Sequence, residues 1–418
     1  SFSVAGILKR GLKAQGISIS RPRGLKHKKE MLKGVWQTPK EGLISDLNTP
    51  NIEDDLSRVS FSTHTKKSQR HIAIIGAGIA GLSCAYAFAQ RGHSVLIYDQ
   101  FEPLSGASGN PLALLNPKLC PIEQSAEHLM TLSWQHALNH YAKFKAYRPI
   151  AVNQLALKNS DDLLALAGQY PEGLLKAQTN VVTDNDSNKL HSPLPSLQLT
   201  AAGAVSPHQL RDEISSHPNI KFVQAKVGSV SKLDNNQLEL SIDNLHPNKD
   251  MLNTFDHVIV CCARDSKNFF TDFPVLKPIR GQVSWLNNAE HALSDDQAYS
   301  YGGYCMQLDT EHLILGASFY PNREDAEVLL EDHQHNRQLI EDVFPDYAKQ
   351  LAPIEEWQGR ASVRAQSLDY FPLLGKMQDD TEIYTFSGLG SKGFLFAPLC
   401  SEILAAEILN EASPVPTA

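Results

Sequence analysis

HIAIIGAGIAGLSCAYAFAQRGHSVLIYDQ, residues His71 to Gln100, is the stretch whose reading decides the fold. The β-branched run Ile72 to Ile75 leads into Gly76-Ala77-Gly78-Ile79-Ala80-Gly81, and apolar residues at Ile79, Leu82, Tyr86 and Ala89 follow at helical spacing. Strand, tight turn and helix are expected in that order. Gly76 permits the turn, Gly78 lets backbone approach a pyrophosphate, and Gly81 lets the helix pack closely on the strand, with the helix N-terminus facing the phosphates. A second strand, Ser94 to Tyr98, ends at Asp99, eighteen residues beyond Gly81, near the interval at which an acid meets the ribose hydroxyls of a dinucleotide. Glycine-rich turns alone also occur where nothing binds; the flanking strand, helix and terminal acid select a dinucleotide site. An acidic ribose partner with no Arg directly after it argues against a 2′-phosphate and so against NADP. FAD and NAD remain.

The 418 residues have the composition of an ordinary globular protein and are long enough for two or more domains. No apolar run reaches membrane-spanning length, and Val4 to Leu8 lies in a basic region without a cleavage pattern, so neither a membrane span nor a signal peptide is expected. Cys84, Cys120, Cys261, Cys262, Cys305 and Cys400 form no CxxC pair and have no His at zinc-finger spacing. They read as reduced thiols of a cytoplasmic protein, with no metal site and no dithiol centre. His333 and His335, two apart in a helical stretch, face different directions and read as structural. The net charge of −8 conceals an asymmetry: residues 1 to 70 hold 14 Lys+Arg against 6 Asp+Glu, leaving 24 against 40 for the remainder. A basic arm on an acidic body suggests an anionic macromolecular partner at one end; a solvated basic surface fits the same numbers.

Along the chain, residues 1–37 read as a helix followed by two strands, too small to bury a core alone, and residues 38–69 as a linker. Helical patterns are expected at Ala126 to Phe144, Asp161 to Leu166, His208 to Ser216 and Asp325 to Val343. Strands are expected at Lys221 to Ala225, Val227 to Leu240 (with a turn), Ile279 to Leu286, Tyr301 to Leu308, His312 to Ser318 and Glu382 to Ser387. Residues 170–200 read as irregular. Phe255 to Ala263, near-continuously apolar, has the character of a strand buried on both faces of a parallel sheet. Gly106 to Pro111 forms a loop of small residues that admits backbone and Ser108 hydroxyl contacts to a second phosphate face. The turn Gly388-Leu389-Gly390-Ser391-Lys392-Gly393 precedes a helix to Leu409.

The Gly76/Gly78/Gly81 unit, Asp99, Arg280-Gly281-Gln282 on a strand and the closing Gly388 to Gly393 turn resemble the FAD-dependent amino-acid oxidases of the glycine oxidase and D-amino-acid oxidase group. Ala107 to Pro111, Gly359-Arg360-Ala361-Ser362-Val363-Arg364, Asp369, Pro372 to Gly375 and Ala397-Pro398-Leu399 narrow this. They resemble the oxidoreductase half of the bifunctional tRNA enzymes of 5-methylaminomethyl-2-thiouridine biosynthesis. Phe2 to Gly6, Arg10 to Leu12 and Lys28 to Leu32 resemble the end of that family's methyltransferase domain. The resemblance implies an α/β fold in which an FAD-binding Rossmann-type domain (70–150, 201–265 and 355–418) is interleaved with an antiparallel-sheet α+β substrate domain (151–200 and 266–354). It implies that 1–37 is a methyltransferase remnant without that activity.

The same resemblance implies noncovalent FAD and oxidative removal of the carboxymethyl group from 5-carboxymethylaminomethyl(-2-thio)uridine at the tRNA wobble position, yielding glyoxylate and the 5-aminomethyl form. The expected partners are tRNA and the missing methyltransferase domain. Arg364 is the expected carboxylate-binding cation, since a guanidinium fork matches a carboxylate; Arg360 is the alternate, and the hydroxyl of Tyr304 or Tyr301 stands in for a second cation. Ser108, Val227, Arg280, Gly390, Ser391, Lys392 and Gly393 join Gly76, Gly78, Gly81 and Asp99 as cofactor residues. A free glycine or sarcosine oxidase would share nearly all of them, and a non-catalytic, FAD-stabilised tRNA-binding module would share the cradle.

Overall fold

The computed structural model describes residues 17–20, 33–36, 69–158, 160–182, 190–243, 253–377 and 381–415. The chain divides into two compact units, Ser1–Lys67 and Ser68–Ala418. In the first, Ile17–Ser20 pairs antiparallel with Lys33–Trp36; these are the two strands expected there. The helix expected before them, and all of the linker but residue 69, lie outside the described residues.

The second unit is organised on the stretch quoted above. His71–Ile75 and Ser94–Asp99 lie side by side in parallel, and the sheet continues in the order Ile220–Gln224, Ser94–Asp99, His71–Ile75, His257–Val260, Ile383–Ser387, Leu373–Lys376. Taking the first five in chain order, this is the 3-2-1-4-5 arrangement of a doubly wound sheet, whose order reverses between His71–Ile75 and His257–Val260. Every residue of His257–Val260 is buried, because one face meets helices and the other a small meander. On the helical side Ile79–Ala89 packs beneath Gly393–Leu409, with Phe88, Phe396 and Leu404 in the shared core. Val227, Leu238, Leu240 and Phe255 of the meander close the opposite face over Ile75, Tyr98 and Val260.

A broad, mainly antiparallel sheet forms the rest. Its path runs Tyr320–Pro321, Lys277–Asn287, His312–Gly316, Tyr304–Gln307, Gln297–Ser300, Tyr147–Leu155, Ser196–Val205, Ala113–Leu115, with Gln358–Gln366 also on Lys277–Asn287. Period-two alternation divides it: Tyr299, Tyr301, Cys305, Leu313 and Leu315 enter one core with Ile340 and Phe344, while Ala298, Met306 and Ile314 enter another with Trp134 and Leu395. The helix Leu330–Glu341 covers the first face.

Sheet membership departs from the expected grouping. Ser196–Val205 runs across the expected boundary at 200, and Gln358–Gln366, grouped by sequence with the cofactor domain, belongs to the broad sheet through nine register pairs with Lys277–Asn287. Part of the stretch 170–200 expected to be irregular is strand, at Leu175–Gln178 and Ser196–Val205.

Candidate active site

Each glycine of the first turn meets a different constraint. Gly76 has φ +106°, and a Cβ there would stand 2.6 Å from Cys261 O on the neighbouring strand end. A Cβ on Gly81 would stand 1.9 Å from Gly76 O, so helix and turn touch. At Gly78 the nearest atom to an added Cβ is Ser108 Oγ at 3.6 Å; the protein leaves that space open, directly before the first turn of the helix. Asp99 is held by its own backbone surroundings: Oδ2 accepts from Ala77 N at 2.7 Å and Oδ1 from Phe101 N at 3.0 Å. Each oxygen keeps a further lone pair for a hydroxyl donor. Ser108 Oγ accepts from Ile79 N at 3.2 Å, and Leu104 N donates to Ala77 O at 3.0 Å, which lays the small-residue loop on the turn.

These residues form one wall of a cavity of about 900 Å³ that also takes in Val227, Cys262, Tyr304, Arg364 and the turn Gly388–Gly393. An open approach to a helix N-terminus, together with a preoriented acid, fits the pyrophosphate and ribose of a dinucleotide. The cavity continues beyond them past Tyr304 and Arg364 to the turn Gly388–Gly393.

The second wall belongs to the broad sheet. Arg364 lies over Gly281, where a Cβ would stand 2.1 Å from Nη1 and 2.4 Å from Nη2. Its Nη1 is enclosed and has no hydrogen-bond partner among the described residues, and burial lowers its affinity for the proton, opposed by Tyr304. Gly316 does for Tyr304 what Gly281 does for Arg364: a Cβ there would stand 2.6 Å from the ring. Burial pushes the Tyr304 hydroxyl up to about 12 despite the pull of Arg364, so near neutrality it remains a donor.

The third wall is the closing turn. Gly388 (φ +76°) and Gly390 (φ +53°) bend it, and Leu389 bridges to Gln366 at the end of the Arg364 strand. A Cβ on Gly393 would stand 3.1 Å from Ile79 Cγ2, so the starts of two helices meet here. Lys392 Nζ donates to Asn116 O at 2.6 Å, and burial pushes its pKa down to about 8. Asn116 is in turn fixed by Ser300 Oγ (2.8 Å) and Gln154 Nε2 (2.5 Å).

The cavity thus brings together Gly76, Gly78, Asp99, Ser108, Val227, Tyr304, Arg364, Gly390, Ser391, Lys392 and Gly393. Three expectations are revised. Arg280 lies on the opposite face of the sheet, wholly buried, with Nη1 2.6 Å from Asp332 Oδ2 and Nη2 donating to Glu327 O. Tyr301 points into the core, its ring 6.1 Å from that of Phe344. Arg360 does not line the cavity; it reaches the backs of Ser105, Gly106 and Asn110. Asn116, Ser300 and Gly316 were not anticipated, and only the Asn116-Pro117 turn signal at the end of the small-residue loop marks one of them. Among the described residues, no three His, Cys, Asp or Glu side chains are grouped to hold a metal.

Comparison with known proteins agrees with this geometry. A family model described as FAD dependent oxidoreductase matches residues 71–407. The tRNA 5-methylaminomethyl-2-thiouridine biosynthesis bifunctional protein MnmC of Acinetobacter baylyi is 54% identical over 99% of the chain, and that of a Psychrobacter species is 31% identical over all of it. The chain spans 63% and 64% of the length of these two relatives. Glycine oxidase from Geobacillus kaustophilus superposes with a TM-score of 0.64 at 17% identity, over 84% of this chain and 98% of that one. Glycine oxidase from Bacillus cereus gives 0.65 at 18%, over 83% and 99%. With the match running from the first strand of the parallel sheet almost to the end of the last helix, the chain belongs to the FAD-dependent oxidoreductase family, an enzyme fold with FAD as its cofactor.

Proposed function

We propose that this chain oxidises the CH–NH unit of 5-carboxymethylaminomethyl(-2-thio)uridine at the wobble position of tRNA, removing the carboxymethyl group and leaving the 5-aminomethyl form. The observation that carries the reading is Arg364: a guanidinium enclosed in the cofactor cavity, with Nη1 lacking any partner among the described residues. A buried cation without a counter-charge is costly, and a substrate carboxylate supplies what is missing in a matching two-point geometry. The names of the relatives support a tRNA substrate.

FAD, when bound, supplies the two-electron acceptor. The chain's own residues position the substrate and hold protons. Gly78, Asp99 and Ser108 would hold the adenosine and pyrophosphate portion, and the helix start at Gly393 favours negative charge on the group it faces. Arg364 fixes the carboxylate, and Tyr304, kept protonated, donates a hydrogen bond beside it. Two electrons and two protons leave the nitrogen and the α-carbon as a C=N bond forms. Water adds to that carbon, the C–N bond breaks, and glyoxylate and a primary amine result. The proposed partners are tRNA and the methyltransferase domain of a longer chain, and the proposed location is cytoplasmic; no described helix is long and apolar enough to cross a membrane.

Anaerobic loss of the visible absorbance of oxidised FAD tests the reading. Carboxymethylaminomethyl-modified tRNA should bleach it within a single turnover, and free glycine should not. Equal bleaching by glycine or sarcosine would instead make the chain a free amino-acid oxidase. No bleaching by either would leave a tRNA-binding module.

A further inference from the structure

We infer that Arg360 is the latch that holds the loop Leu104–Asn110 closed over the bound cofactor, so that one strand, Gln358–Gln366, sets both cofactor retention and the substrate's anchoring point. Arg360 Nη2 donates to Ser105 O at 2.6 Å and Gly106 O at 2.5 Å, and Nη1 donates to Asn110 Oδ1 at 3.2 Å. Among the described residues its hydrogen-bond partners are all neutral oxygens of this loop. Ser105, Gly106, Ser108 and Asn110 themselves line the cavity. The loop is therefore gripped from two sides: the cofactor turn holds it through Leu104 N and Ser108 Oγ, and the broad sheet holds it through one guanidinium.

The fit is close. A Cβ on Gly109 would stand 2.0 Å from Leu104 O and 3.0 Å from Arg360 Nη2, so only hydrogen fits beneath the cation. Nη2 alone serves the two consecutive carbonyls while Nη1 reaches the Asn110 amide oxygen; the two nitrogens of the planar fork cover all three acceptors, which the single nitrogen of an ammonium does not reproduce. The position also excludes the alternative use of this residue. Arg360 and Arg364 share a strand face but stand four residues apart, roughly 13 Å at the usual strand rise, too far to clamp one carboxylate between them. Arg360 is thus a positioning residue: it acts through the loop that carries Ser108, and Ser108 caps the helix that faces the cofactor.

The test reads FAD release from the holo form of the 418-residue chain after dilution, by the rise in free-flavin fluorescence. Arg360→Ala should release FAD at least tenfold faster, and Arg360→Lys should fall between it and the parent. Amide exchange at residues 104–110 should rise in both variants, and the substrate KM at saturating FAD should stay within twofold. Release and exchange within twofold of the parent in both variants would overturn the inference. So would a raised KM with unchanged release, which would return Arg360 to the substrate, or a lower melting temperature with unchanged release, which would make it merely structural. If Arg360→Ala fails to fold, Asn110→Ala removes one of the three contacts from the loop side. About threefold faster release is then expected, and unchanged release and exchange would overturn the latch.

Discussion

Two arginines on adjoining strands of the broad sheet face opposite ways, and their surroundings differ in one decisive respect. Arg280 sits on Lys277–Asn287 and Arg364 on Gln358–Gln366; Ile279 pairs with Arg364 and Arg280 with Val363, so parity alone puts the two cations on different faces. On the helix-covered face, Arg280 meets Asp332 and Asp325 at 2.6 Å each. Its neighbours are satisfied in the same way. Gln282 bonds Leu329 N and O, and Ser284 meets His333 Nδ1 at 2.8 Å and Asn336 Nδ2 at 2.9 Å. On the cavity face, Arg364 has a glycine beneath it and a tyrosine beside it, and among the described residues it has no carboxylate partner and its Nη1 no hydrogen bond. A buried cation closed by its own chain's carboxylates belongs to the fold; one left open is poised for an anion from outside.

The comparison breaks first, and most strongly, at Arg280. Arg280→Met leaves Asp332, itself wholly buried, without its counter-charge, and loss of one member of such a pair costs about 3–5 kcal/mol. Urea unfolding of the variant should show that loss, and Arg280→Met combined with Asp332→Leu should recover most of it. FAD should still bind to the folded fraction. Full stability in the single variant would mean that the Arg280–Asp332 pair is not what joins helix Leu330–Glu341 to the sheet.

Arg364 should give the opposite pattern. Arg364→Lys keeps one positive charge but loses the fork, so turnover on carboxymethylaminomethyl uridine should fall about thirtyfold or more, equivalent to roughly 2–5 kcal/mol of lost contact. Unfolding stability should stay within about 0.5 kcal/mol, because among the described residues no partner is orphaned. Turnover within twofold of the parent would remove Arg364 from the substrate.

The sequence showed both arginines and could not show their faces. A cation on a strand is legible; which side it takes depends on pairing register, and a shift of one residue exchanges the faces. The five parallel strands of the cofactor sheet were each expected as strands because they are largely β-branched and apolar, whereas Leu373–Lys376, the antiparallel edge, was not. Tyr147–Leu155 and Ser196–Val205 escaped for opposite reasons. The first carries Pro149 and Arg148 at its start. The second is rich in small residues of low strand preference and shifts register between Leu199 and Ala202. Gly203 there makes room for the Tyr147 ring, which would lie 2.1 Å from a Cβ; that contact exists only once both strands are in place. The turn Gly76–Gly81 and Asp99 were legible as a local motif, whereas Asn116, Ser300 and Gly316 come to the cavity only through long-range pairing.

Lys392 extends the comparison to a third buried cation, one whose hydrogen bond goes to a neutral carbonyl. Its pKa falls from 10.5 to about 8 because burial disfavours the charged form. In the cofactor-free chain the unfolded state therefore binds more protons between pH 8 and 10.5, and stability rises with pH across that window. Below pH 8 both states are charged and the full penalty persists. The fall corresponds to about 3 kcal/mol at complete burial; allowing for partial exposure, Lys392→Met should stabilise the cofactor-free protein by about 1–2 kcal/mol at pH 7, with the gain fading toward pH 10.5. Urea unfolding at a series of pH values would show it, and a gain independent of pH would point to packing rather than charge.

The smallest effect expected on the catalytic unit comes from outside it. Residues 71–418 are strongly acidic, yet the proposed substrate is a polyanion far larger than the reacting base. Arg21, Arg23, Lys26, Lys28 and Lys29 fall in sequence between the paired strands Ile17–Ser20 and Lys33–Trp36, within residues 21–32, which lie outside the described structure. Unlike Arg280, these cations sit in a stretch holding one acid, Glu30, and unlike Arg364 they are near one another in sequence, the pattern that suits backbone phosphates rather than a single carboxylate. Each phosphate neutralised adds about 0.7 to 0.9 to the slope of log affinity against log salt. Deleting residues 1–37 should therefore weaken tRNA binding and flatten that slope by this amount per contact. FAD content and the bleaching rate at saturating tRNA should not change, since Gly78, Asp99 and Arg364 all lie in the other unit. Filter binding across a salt series separates the two readings of the basic arm: equal slopes for the full and shortened chains would make it a solvated surface, and its charge would then have no part in holding tRNA.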